Sequence, residues 1–312
     1  MNNSDLLFLY DAKLTNPNGD VDDENRPRMD YERSINLVSD VRLKRYLRDY
    51  YEQKGYPIFV GKVDGETVNA TERIKRLFDN KEGKVNLNKL TQDEQAWMLD
   101  QLIDVRLFGA TMPIKSLESK GSSLTFTGPV QFNWGYSLNK VNLVESASIT
   151  SHFGSDDRND GGAIGKDYRV YYSFLAFHGI VSGYRAQHTR LSESDLQALD
   201  EAIVKAIPLN ATRSKVGQYP RLYLRVEYTT PDFLIGDLRD LVELETTEGL
   251  RSITEVKLHI EPLVQKLQAH EQEIKTLHVW QDSNLNLISG EKVAPLKELL
   301  PDSLQSKLSF LR

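Results

Sequence analysis

Asp20, Asp22, Asp23 and Glu24 crowd four carboxylates into one short stretch near the N-terminus. Clustered carboxylates bind hard cations and can organise metal-assisted cleavage of a phosphodiester. One function to weigh is therefore a divalent-metal-dependent endoribonuclease acting through Asp20, Asp22 and Asp23. The run is not an EF-hand, because Asn25 stands where the loop glycine belongs and Tyr31 where the closing glutamate belongs. The simpler reading is a solvated acidic turn whose charges tether Arg26 and Arg28, and it is preferred here.

Other motifs fail on spacing. GGAIGKD resembles a phosphate loop, but its first glycine would fall at Asp160, and Asp167 replaces the required Ser or Thr. His270-Glu271-Gln272-Glu273-Ile274 begins like a zincin helix and lacks the second histidine. Ser182 sits one place off the nucleophile position between Gly179 and Gly183. Without cysteine the chain has no disulfide, thiolate nucleophile or cysteine-based metal centre. No cofactor and no resident metal are expected.

The basic residues say more. Between Arg33 and Arg48 stand Arg33, Arg42, Lys44, Arg45 and Arg48 against Asp40 alone. On a helix, at about 100° per residue, Arg42, Lys44, Arg45 and Arg48 fall opposite the apolar stripe Leu43, Tyr46, Leu47 and Tyr50. The loop entering this helix adds Arg26 and Arg28, so the bases can converge on one backbone-reading track, sensitive to charge and shape rather than sequence.

These residues need a scaffold. Leu6 to Thr15 alternates well enough for a strand, and Asn16-Pro17-Asn18-Gly19 ends it with turn chemistry. A helix begins near Val41, capped by Ser39 or Asp40, and Gly55 stops it. Pro57 to Val63 reads as a second strand. Thr71 to Phe78 and Thr91 to Asp104 read as helices of an insertion, and Ser122 to Tyr136 returns to strand character. Gly154 to Asp167 reads as a glycine-rich projection. Arg169 to Val181 is a strand whose aromatics belong to the core, Ser192 to Ile207 a helix, Arg221 to Thr229 a strand, and Ile260 to Ile274 a helix. That order folds as a βαββαβ sheet with inserts, in the α+β, RRM-like (ferredoxin-like) class.

The whole chain carries a net charge of −6, but the segment Glu227 to Glu273 alone carries −7, leaving the remainder slightly basic. No stretch approaches the roughly 20 apolar residues of a membrane span. The start, MNNSDLLFLYDAKL, lacks the basic end and unbroken apolar run of a signal peptide. A cytoplasmic, soluble protein is expected.

The string NPNGDVDDENRPRMD, followed by VSDVRLKRYLRDYYEQKGYPIFV, closely resembles the N-terminal signature of the CRISPR-associated backbone subunits of type I-B and I-C systems, the I-B branch being nearer. DVRLFGATMPIK (Asp104 to Lys115), FTGPVQFNWGYS (Phe126 to Ser137) and TRSKVGQYPRLYLRVEY (Thr212 to Tyr228) continue the likeness. The resemblance implies a non-catalytic scaffold of the Cascade complex: a modified RRM-like palm, a helical insertion at 63–121, a β-hairpin thumb at 143–170 and a C-terminal extension at 230–312 packed on the palm, all in one domain.

By the same resemblance the partners are guide RNA (crRNA), the target DNA strand paired through it, further copies of the chain in a helical filament, and the other Cascade subunits. The RNA-binding residues it implies are Asn16, Asn18, Gly19, Arg26, Arg28, Ser39, Arg42, Lys44, Arg45 and Arg48, with His152, Lys166, Arg169, Arg213 and Lys215. Ala163 and Ile164 are the expected thumb wedge. Type III relatives that cut RNA carry an acidic residue in the corresponding first loop, whereas the I-B likeness implies reliance on a separate nuclease.

Overall fold

The structure is a computed structural model that describes residues 1–62, 65–79, 81, 85–87, 89–114, 122–145, 148–151 and 163–311. It is a mixed α+β fold built on one nine-stranded sheet. The strands are β1 (Ser4–Thr15), β2 (Met29–Asp30), β3 (Ile35–Val38), β4 (Val130–Phe132), β5 (Gly135–Ser137), β6 (Val170–Val181), β7 (Gln218–Tyr228), β8 (Ile274–Gln281) and β9 (Leu308–Phe310). Their spatial order is β9-β8-β7-β1-β6-β5-β3-β2, with β4 also on β6. β1 lies at the centre, antiparallel to β6 and β7.

Alternation along β1 explains why the sheet has two covered faces. Leu6, Phe8, Tyr10 and Ala12 point to a layer formed by helix α1 (Asp40–Gln53) and the later helix Glu193–Leu209, meeting Leu43, Tyr46, Leu47, Leu199 and Ile203. Leu7 and Leu9 point the other way and pack with Leu258, Ile260, Leu263 and Leu287 of the C-terminal segment. The strand is therefore buried on both sides, not half-buried as simple alternation suggests. The C-terminal segment also adds β8 and β9 to the sheet edge.

α1 follows its sequence signals. Ser39 is the N-cap, its hydroxyl accepting from the Arg42 amide at 3.2 Å, and Leu43, Tyr46, Leu47 and Tyr50 are buried. Helices α2 (Ala70–Asp79), α3 (Gln92–Gln101) and α4 (Ile103–Phe108) enclose a third core of Phe59, Ile74, Phe78, Met98, Leu99 and Val105. Thr91 to Asp104 is not one helix. Its break comes at Leu102, where Arg106 reaches back to the Leu99 and Asp100 carbonyls at 2.7 Å each and so ends α3.

The expectation of a strand over Pro57 to Val63 fails, since 57–62 form none. The Phe59 and Val60 amides instead donate to the buried Asp104 carboxylate at 2.7 and 3.1 Å. With those donors taken, this backbone has no ladder to join, and β4 and β5 occupy the place beside β6. A short helix, α5 (Gly183–Thr189), precedes α6 (Glu193–Leu209). The helix expected to reach Ile274 stops at Ala269 as α7 (Glu261–Ala269), and Ile274 opens β8. The aromatics of β6 behave as expected, with Tyr172, Phe174 and Phe177 buried.

Candidate nucleic-acid interface

The end of β1, the loop after it, the N-terminus of α1 and the 212–217 turn meet at one end of the sheet. Their joints are backbone bonds: the Asn16 amide donates to the Ser214 carbonyl at 2.9 Å and the Lys13 amide to the Gly217 carbonyl at 2.8 Å. Asn16 is buried and its side-chain amide donates to the Asn25 carbonyl at 2.8 Å, closing the acidic loop. Asn18 Oδ1 accepts from both the amide and the hydroxyl of Ser39, at 2.9 and 3.0 Å, tying the loop to the helix cap. Gly19 is required by close approach, because a Cβ there would lie 1.9 Å from Asn25 Oδ1 and 2.9 Å from its carbonyl oxygen.

Two cations face this junction. Lys215 Nζ donates to the Asn16 carbonyl and, at 3.4 Å, to that of Pro17. Burial, with Arg42 nearby, lowers its ammonium to about 7. Arg42 lies 3.9 Å over the Tyr46 ring, and among the described residues its buried Nε meets no hydrogen-bond partner. Further out, Arg26 stacks 4.7 Å over Tyr168, and the exposed Arg213 stands 3.3 Å from Asp167.

The acidic run serves these bases. Asp20 pairs with Arg28 at 2.9 Å and Asp23 lies 3.8 Å from Arg26, as the tethering reading requires. Glu24 is held below the ordinary carboxylate range by Lys166, 2.6 Å away, together with the Tyr168 hydroxyl at 2.8 Å. Among the described residues no group of three or more His, Asp or Glu side chains is placed to hold a metal ion.

The broad basic face expected of α1 is divided. Arg42 and Arg45 stay on the open side, Arg45 pairing with Asp49 at 2.7 Å. Lys44 is buried, bonded to Asp40 at 3.1 Å and to Gln131 at 3.0 Å. Arg48 is bonded to buried Asp104 at 2.9 Å and lies 5.3 Å from the Phe108 ring. Lys44 thus ties α1 to β4 and Arg48 ties it to α4 of the insertion, so neither faces outward.

Arg169 is likewise engaged, donating to Asp167 at 2.8 Å and to the Leu14 and Arg213 carbonyls at 2.8 and 3.1 Å, which fixes the segment entering β6. Lys166 lies in a strand, Ala163–Lys166, that pairs antiparallel with Ser148–Ser151. Ala163 and Ile164 stand in that ladder opposite Ser151 and Thr150. His152 lies outside the described residues. Sequence reasoning missed Tyr168, which joins Arg26 to Glu24, and Asn36, which is fully buried and bonds the Arg28 carbonyl at 2.9 Å. Tyr168 had a signal, its position between Asp167 and Arg169 at the edge of the glycine-rich stretch.

The family model for CRISPR-associated protein Cas7 matches residues 2–261. A CRISPR-associated protein Cas7 of Haloferax volcanii is 37% identical over 308 residues, covering 94% of this chain and 90% of that protein. One chain of a solved "CRISPR RNA-guided surveillance complex, pre-nicking" shares the fold with a TM-score of 0.50 at 12% identity, over 92% of this chain and 96% of that chain. Together, the extent of the family match and the identity to the archaeal relative show that this chain belongs to the CRISPR-associated protein Cas7 family.

Proposed function

We propose that this chain is the repeating, non-catalytic backbone subunit of a type I-B Cascade surveillance complex, which coats guide RNA through its phosphates and presents it for pairing with target DNA. The observation that carries this reading is the cluster around the α1 N-terminus, where Arg42 and Lys215 lie at a junction of β1, the Asn16–Arg28 loop and the 212–217 turn and, among the described residues, no carboxylate is bonded to either. A phosphate at that junction relieves the repulsion between the two cations and lies near the N-terminal end of the helix. Contacts to phosphate leave base edges free, as a coat that accepts any guide must.

The architecture supports an RRM-like palm. The strands β7-β1-β6 and β4/β5 run antiparallel in that order, with α1 following β1 and α6 following β6, which is the βαββαβ arrangement. In this reading the third core marks the helical insertion assigned to 63–121, the Ser148–Ser151 and Ala163–Lys166 ladder forms the base of the thumb at 143–170, and 230–312 is the extension on the palm. Head-to-tail stacking needs two different surfaces on each copy, for which the thumb and the acidic C-terminal segment are suited.

Light scattering of the purified chain after gel filtration, with and without single-stranded RNA of several lengths, tests the proposal. Oligomers whose mass steps up with RNA length are expected. A monomer at every RNA length overturns it.

A further inference from the structure

Trp134 is 44% exposed, yet hydrogen bonds hold its backbone on both sides. The Asn133 amide donates to the His178 carbonyl at 2.9 Å, and the Trp134 amide donates to Asn133 Oδ1 at 2.7 Å. The Trp134 carbonyl accepts from Arg239 at 2.7 Å, and Arg239 is itself clamped by Asp237 at 2.5 and 2.9 Å. Gly135 follows with its Cα against the Phe177 ring, where a Cβ would lie 2.4 Å away. A large aromatic ring is thus presented to solvent on a fixed support, the condition under which stacking costs little ordering entropy.

Its neighbours specify the ligand. Pairing of Val38 with Gly135 and Leu37 with Tyr136 sets β3 against β5, so Trp134 continues the ladder at the level of Ser39, the cap of α1. The Arg28 guanidinium lies 5.8 Å from the ring centroid. Arg28 also donates from its amide to the Asn18 carbonyl at 3.0 Å, and Asn18 holds Ser39. The ring therefore borders the phosphate track itself. Among the described residues no other aromatic ring stacks on it, and a flat π face next to a cationic backbone groove is what binds single-stranded nucleic acid without choosing a sequence.

We propose that Trp134 is a stacking platform for one nucleobase of the RNA whose phosphates run past Arg28 and the α1 N-terminus. The proposal rests on the RNA-coating reading above and adds to it a base contact that is indifferent to base identity. Arg28 then has two roles, ordering the acidic loop through Asp20 and lying over one face of the indole, which leaves the other face for the base.

The test uses the full chain, single-stranded RNA, and the same RNA with its bases removed from the ribose-phosphate backbone. Wild type is expected to bind intact RNA about tenfold more tightly than abasic RNA, and Trp134→Leu to bind intact RNA about tenfold more weakly than wild type while still forming RNA-length-dependent oligomers. Trp134→Phe retains most of the affinity, and RNA quenches a tryptophan emission that is missing from both variants. Equal binding by Trp134→Leu and wild type, with oligomers intact, overturns the stacking role and leaves the coat standing. Normal RNA affinity with failed oligomerisation assigns the ring to a contact between copies, and a loss seen only on guide–target duplex assigns it to the DNA strand; both overturn the proposal. Absence of RNA binding by wild type removes the coat reading as well. Should Trp134→Leu fail to fold, the abasic comparison on wild type decides, equal affinity for the two RNAs being the contrary result.

Discussion

Lys215 reaches across to the Asn16 carbonyl at the mouth of the Asn16–Arg28 loop, and burial, with Arg42 nearby, brings its ammonium down to about 7. A part-buried ammonium held by backbone carbonyls with a guanidinium nearby is costly in the free chain and useful when a phosphate arrives.

The sign of the consequence can be followed through. In the unfolded chain Lys215 titrates near its ordinary value of about 10.4. Between about 7 and that value the unfolded state holds more protons, so the stability of the free protein rises with pH across this window and falls as pH drops toward 7. RNA phosphate raises the folded value, so binding takes up a proton. Affinity is predicted to weaken as pH rises from 7 to 9, by up to about tenfold per unit. Lys215→Met should flatten both dependences, as urea melts and RNA titrations at several pH values will show.

Lys44 and Arg42 are predicted to part company although they lie on the same turn of α1. Lys44→Glu removes the bonds to Asp40 and Gln131 and sets a carboxylate beside Asp40, so it should destabilise the fold by about 2–4 kcal/mol. Arg42→Glu loses one contact with Tyr46, should cost within about 1 kcal/mol, and should abolish RNA-dependent assembly. Thermal melts and sizing with RNA separate the two.

Asp104 receives Arg48 and the amides of Phe59 and Val60, and so fastens the segment before α2 to α1. Asp104→Ala leaves a buried guanidinium and two amides without that acceptor. It is expected to cost about 3–5 kcal/mol and to speed hydrogen exchange at Phe59 and Val60 before the central sheet opens.

Gly19→Ala sets a methyl against the Asn25 side chain and carbonyl. The loop must open while the sheet does not, so RNA affinity should fall with a stability change below about 1 kcal/mol. Calorimetry alongside RNA titration checks this.

The order of elements could be read from the sequence wherever one local signal decided it. Ser39, the stripe from Leu43 to Tyr50 and Gly55 define α1, and the β-branched and aromatic run after Arg169 defines β6. What could not be read depended on long-range partners. Pro57 to Val63 has strand-like residues, but Asp104, far along the chain, takes its amides. Helical spacing placed Lys44 and Arg48 on the open face of α1, whereas Gln131 and Asp104 from distant segments draw both inward. The convergence of Asn16, Asn18, Ser39 and Lys215 was implied by resemblance alone, since their meeting depends on the register of β1 against β7.

The salt dependence of RNA binding tests the central claim most directly. For single-stranded RNA each phosphate neutralised contributes about −0.7 to the slope of log affinity against log salt. Wild type should show a steep negative slope, and an Arg42→Gln, Lys215→Gln double variant a slope shallower by about 1.4, two such contacts having been removed. An unchanged slope in the double variant, or binding by wild type that is indifferent to salt, would contradict the account.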